Sequence, residues 1–141
     1  MMDLPVTLAK LIKITSDSPT KLPREFLELL KMDSDEHAIL VFAVSTQTIR
    51  LIPTKSDQVV KIIIEIGDLT PGFLDQLGRV LAAYKVDTLY SSGICFTEES
   101  CVYEGYIDKS ELTSTSLDQL KSELSKISGI SLVNLSVLTV E

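Results

Sequence analysis

Tryptophan is absent from this 141-residue chain, and aromatic residues make up only 6% of it. Val, Ile and Leu must therefore build any core, and the 45% hydrophobic content supplies enough of them. Histidine occurs once, at His37, and cysteine twice, at Cys95 and Cys101. So few soft or imidazole ligands exclude the usual zinc arrangements and a disulfide framework. Also missing are a phosphate-cradling glycine loop, a nucleophile elbow and a histidine–carboxylate cluster. No catalytic residue, metal or cofactor is expected, and the chain reads as a non-enzyme. No apolar run approaches the roughly 20 residues that span a bilayer. The opening MMDLPVTLAKLIK lacks the charged, apolar, small-residue order of a secretory signal. The expectation is a cytoplasmic protein with no membrane contact.

Charge of one sign dominates. The formal net charge is −7, which opposes indiscriminate binding to polyanions. The excess lies in the second half, where acids outnumber bases about two to one, while the two nearly balance up to Val60. A nucleic-acid surface would have to be local and N-terminal. His37, at the edge of an apolar run, reads as structural. Cys95 and Cys101 flank a hairpin turn centred on Glu98 and Glu99, which sets Cys95 opposite Val102 and Cys101 opposite Phe96. In that register they are not partners, and both read as reduced, half-buried thiols. Glu98, Glu99 and Glu104 are expected at the hairpin tip and along a solvent-facing edge.

The segment KLIKI (10–14) alternates as a short strand, and Asp17, Ser18, Pro19 and Thr20 form a turn. Leu22 and Pro23 open a helix with Phe26, Leu27 and Leu30 on one apolar face. HAILVFAV (37–44) and IRLIP (49–53) make a hairpin, and TKSDQ (54–58) is the linker. Residues 59–66 form a buried strand. Phe73, Leu74, Leu77, Val80, Leu81 and Tyr84 recur at helical spacing across 71–84. Two strands follow at 88–96 and 101–107. Ser116 to Gln119 has the spacing of a capping box for a helix carrying Leu117, Leu120, Leu124 and Ile127. Gly129 stands where a left-handed helix cap would fall, and 130–140 is a last strand. The second half is thus βαββαβ, a ferredoxin-like order.

Two resemblances follow from these residues. Across 14–53, Ile14, Thr15, Leu22, Pro23 and Leu30, followed by a hairpin, are similar to the swapped-hairpin domains of the AbrB, SpoVT and MazE kind. Asp17 stands where that family carries a base, and a carboxylate there repels phosphate. The resemblance implies DNA contact through the remaining bases Lys10, Lys13, Lys21 and Arg24. Across 59–141, the βαββαβ order and the turn Asp68-Leu69-Thr70-Pro71-Gly72-Phe73 resemble an ACT domain, an amino-acid-sensing module. Amides at a helix N-terminus attract a carboxylate, and Gly72 leaves room for close approach. Asp68 would take the ligand's ammonium, and Ser91 and Ser92 would complete the site. One residue more than the family pattern separates Asp68 from Pro71.

The fold class expected is α+β, with a small swapped-hairpin domain at 1–56 and an ACT-like domain at 57–141. The function expected is a ligand-responsive transcription regulator that binds DNA through the first part and an amino acid through the second. The alternative is a metabolic regulatory module that binds a metabolite and a partner protein without DNA. Either is expected to act as a homodimer or higher even oligomer, because an N-terminal part this small buries little surface alone.

Overall fold

The computed structural model describes residues 6–13, 23–29, 37–86, 88–97, 99–109 and 112–140, with the backbone alone for Arg24, Leu27 and Ser114. In chain order the elements are β1 (Thr7–Lys13), α1 (Arg24–Leu29), β2 (His37–Ala43), β3 (Thr48–Thr54) and β4 (Gln58–Ile66). They continue as α2 (Phe73–Ala83), β5 (Thr88–Thr97), β6 (Ser100–Asp108), α3 (Ser114–Ser125) and β7 (Ile130–Thr139). The strands form two antiparallel sheets, ordered β1-β2-β3 and β5-β6-β4-β7. The second order, with α2 and α3 as its crossovers, is the split arrangement of a ferredoxin-like sandwich. The chain is α+β.

β4 is buried on both sides, which explains its nearly unbroken apolar run. Val60, Ile62, Ile64 and Ile66 meet Phe73, Leu77 and Leu81 of α2, and Leu120 and Leu124 of α3. Burying each of these large side chains contributes about 1.5–3 kcal/mol. The opposite face presents Val59 and, from β6, Tyr106 to Leu11, Ile39 and Val41 of the first sheet. The first sheet therefore covers part of the face that the helices leave bare. One edge is stitched by a parallel bridge between Leu11 and Val140. At the other edge the Arg50 guanidinium lies 5.3 Å from the Tyr90 ring centroid.

A buried polar cluster ties the two sheets together. The amides of Val6 and Thr7 donate to the Glu104 carboxylate, each at 3.0 Å, and the Thr7 hydroxyl donates to it as well. That uses the one hydroxyl proton of Thr7, so the Tyr106 phenol donates to Thr7 Oγ1, at 2.7 Å. Lys61 Nζ donates to the Thr7 carbonyl at 2.8 Å, stands 3.4 Å from the Glu104 carboxylate, and lies 5.7 Å from the Tyr106 ring centroid. Burial pushes the Tyr106 phenol above its usual range, while its bond to Thr7 and the Lys61 charge pull the other way. Glu104, 2% exposed, is thus inside the protein rather than on the solvent-facing edge expected from the sequence. The strand was legible; the sheet that covers this face was not.

Other expectations are corrected too. Phe26, expected on the apolar face of α1, is 57% exposed, while the Leu27 side chain and Leu30 lie outside the described residues. α3 starts at Ser114, because Thr113 is extended and its hydroxyl accepts from the Ser116 amide at 3.1 Å. Ser116 is inside the helix and is not its cap. Cys95 and Cys101 are directly opposed and joined by a disulfide, not reduced. An irregularity between Cys95 and Thr97 shifts the register by one residue from the turn, and that shift makes them partners.

Candidate functional site

The β4–α2 turn brings the residues singled out in the sequence to one place. Phe73 is buried against the core, and anchors the first turn of α2. Its amide donates to the Thr70 carbonyl at 3.2 Å, closing the turn through Pro71 and Gly72. Gly72 occupies the N-cap position, and no side chain caps the helix there. First-turn amides left without a side-chain acceptor carry the positive end of the helix dipole. Thr70 Oγ1 is buried and has no hydrogen-bond partner among the described residues. Such an atom costs about 1–3 kcal/mol unless something pairs with it. Asp68 is exposed, as is Leu69 beside it.

Gly129 seats this turn from below. Its carbonyl accepts from the Gly67 amide at 2.9 Å and the Asp68 amide at 3.2 Å. Its φ of +90° is the left-handed geometry expected after α3. A Cβ there would lie 1.9 Å from the Asp68 carbonyl oxygen. The position needs glycine twice over: once for its backbone angle and once for the close approach.

Tyr103 is the member that sequence reasoning missed. Its ring packs edge-on against Phe73, with centroids 6.4 Å apart, and its phenol is bonded to Ser91. Burial raises that phenol above its usual range, and the Ser91 bond partly offsets the rise. Gly105 makes room for the ring, since a Cβ at that position would lie 2.8 Å from the Tyr103 hydroxyl oxygen. Ser91 therefore joins the Phe73 side of the sheet through Tyr103. Ser92 is in register with Glu104, on the opposite face, and is not brought to the turn.

The arrangement can hold an anion; its described residues offer no nucleophile–base pair. Asp75 already places one carboxylate in the first turn of α2, but it is paired with Arg79 at 3.1 Å. Among the described residues no group of three or more His, Cys, Asp and Glu side chains could hold a metal ion.

The bases expected to touch DNA are distributed differently. Lys10 and Lys13 are exposed on β1, where strand alternation sends them to opposite faces. Arg24 begins α1, and Lys21 lies outside the described residues, as does most of the 14–36 pattern. β1, β2 and β3 pair within one chain. No helix among the described residues is long and apolar enough to cross a membrane.

No protein-family model and no curated protein matches the chain. Among solved structures, it is similar to a homoserine dehydrogenase from Thiobacillus denitrificans, with 9% identity and a TM-score of 0.44 over 79% of this chain. The match spans 35% of the dehydrogenase chain. It is also similar to a prephenate dehydratase from Streptococcus mutans, with 14% identity and a TM-score of 0.46 over 94% of this chain and 73% of the other. The fold assignment rests on the strand order itself.

Proposed function

We propose that this protein is a regulatory sensor whose ACT-like part, residues 57–141, binds a free amino acid at the β4–α2 turn. The observation that carries the reading is the buried Thr70 hydroxyl, without a partner among the described residues, beside a helix N-terminus that has no side-chain cap. A ligand carboxylate would accept from the α2 amides and Thr70, and the exposed Asp68 carboxylate would meet the ammonium. The protein is not an enzyme in this reading.

A thermal-shift screen against the twenty amino acids tests it, and one chemically coherent group should raise the midpoint. Gly72→Val should then abolish binding with the fold intact. Gly72 has an ordinary φ of −90°, and a Cβ there meets nothing closer than Gln76 Nε2 at 3.5 Å. The expected cost is about 1 kcal/mol from replacing a favourable N-cap residue. Unchanged calorimetric affinity in the folded variant would put the ligand elsewhere.

Dimerisation belongs to the same proposal. β5 and β7 are the terminal strands of their sheet, and a symmetric mate would cover an edge. Light scattering at micromolar concentration should give twice the 15.5 kDa chain mass or a higher even multiple. A monomer mass would contradict it.

In its finer form the proposal adds DNA as the target of a swapped-hairpin N-terminal part, through Lys10, Lys13, Lys21 and Arg24. The opposite facing of Lys10 and Lys13 and the net charge of −7 favour the second reading, a module that acts through a partner protein. Lys13→Ala combined with Arg24→Ala separates the two. Weaker DNA retention with a flatter salt dependence supports DNA contact; no retention by the parent chain at low salt supports the partner-protein reading. Cytoplasmic residence is part of the proposal, although the Cys95–Cys101 bond is a feature that the cytosol rarely preserves.

A further inference from the structure

A second candidate site lies away from the β4–α2 turn, where the first sheet hands the chain to the second. A pocket of about 500 Å³ opens there, lined by His37, Lys55, Ser56, Asp57, Gln58 and Lys109, with Leu112 as its buried apolar wall. Its size falls within the roughly 300–1,000 Å³ of small-molecule sites. His37 begins β2, residues 55–57 link the sheets, and Lys109 follows β6. Three separate segments of the chain converge on one space.

The walls are held in place. Ser56 Oγ donates to the Gln58 carbonyl at 2.8 Å and accepts from the Gln58 amide at 3.1 Å. The Lys109 amide donates to the same carbonyl at 3.2 Å, and Lys109 Nζ donates to Gln58 Oε1, also at 3.2 Å. That single bond leaves the ammonium with further protons to donate. His37 Nδ1 is buried and has no hydrogen-bond partner among the described residues. Two ammonium groups and an imidazole thus border a cavity in a chain of net charge −7, with Asp57 as the one acid among the described lining residues.

We propose that this pocket binds a small dianion, of the class shared by phosphate groups and dicarboxylates. Lys55 and Lys109 supply the charge, and His37 Nδ1 gains the partner it lacks among the described residues. Asp57 disfavours a ligand that is anionic throughout and selects one carrying a hydroxyl or ammonium group beside the anion. This site is independent of the amino-acid site proposed at the β4–α2 turn.

The test is calorimetry on the whole chain with inorganic phosphate and with succinate as probes. At least one should bind at one per chain with millimolar or tighter affinity, and binding should weaken with added salt. A response to phosphate alone assigns a phosphate-bearing ligand, and to succinate alone a dicarboxylate. Lys55→Met with Lys109→Met should reduce affinity at least tenfold, and His37→Leu about threefold. Lys55→Glu, a substitution in the linker, should abolish binding if the double variant fails to fold. Gly72→Val should leave it unaltered. The proposal is overturned if neither probe binds at 10 mM (on the order of the weakest affinities worth assigning). It is equally overturned if the folded lysine variants bind as the parent does, or if Gly72→Val abolishes the effect.

Discussion

Replacing Glu104 by Ala should lower the unfolding free energy by about 3–5 kcal/mol, the cost of breaking a buried charge pair from one side. Lys61, its side chain 13% exposed, would be left beside the Thr7 carbonyl with its nearest counter-charge gone. The Val6 and Thr7 amides, with the Thr7 hydroxyl, would lose the acceptor they share. Since those groups dock β1 onto β6, the loss falls on the seam between the two sheets. Urea unfolding measures it directly. Glu104→Gln, which keeps an acceptor and removes the charge, should cost less than Glu104→Ala. The double variant Glu104→Ala, Lys61→Met should be less destabilised than the sum of its single changes, because removing both charges leaves none stranded. Strict additivity, or a Glu104→Ala variant within about 0.5 kcal/mol of the parent, would mean that the cluster does not bind the sheets.

Gly129→Ala should have the second large effect, about 2–4 kcal/mol, through a strained left-handed backbone and a displaced neighbour. A methyl group cannot remain 1.9 Å from the Asp68 carbonyl oxygen, so the turn above it must move. The loss should extend beyond stability. The Gly67 and Asp68 amides that Gly129 holds begin the turn leading to Thr70 and Gly72. A folded Gly129→Ala protein should therefore bind an amino acid at least tenfold more weakly than the parent, whereas Gly78→Ala, on open helix surface, should not. Equal stability in both variants would remove the structural role assigned to Gly129.

These two effects mark where the sequence was legible and where it was not. Local patterns were readable: the buried apolar run of 59–66, the helical spacing of Phe73, Leu77 and Leu81, and the left-handed Gly129 all reappear as expected. So does the βαββαβ order, because each element carries its own period. Contacts between distant segments left no such trace. Nothing near Glu104 announces that Val6 and Thr7 will cover it, and its position after a hairpin suggested an exposed edge. The Cys95–Cys101 pairing depended on a one-residue irregularity that alternation cannot reveal. Tyr103 was hidden for a related reason: its place beside Phe73 depends on Gly105 opening the space. At the candidate site, the turn 68–73 was visible as a motif. The support from Gly129 and the unpartnered Thr70 hydroxyl needed three dimensions. The swapped-hairpin resemblance rested largely on residues 14–36, most of which lie outside the described residues, and the described strands do not show that arrangement.

The amide spectrum of isotope-labelled protein, titrated with the amino acid that most raises its thermal midpoint, locates the sensor site directly. Binding at the helix N-terminus predicts saturable shifts concentrated on Thr70, Gly72, Phe73, Leu74 and Asp75, with a smaller response at Ser91 and none in Gly72→Val. Shifts confined to His37, Lys55 and Lys109, or an unaltered spectrum with all twenty amino acids, would contradict an amino-acid sensor built on the β4–α2 turn.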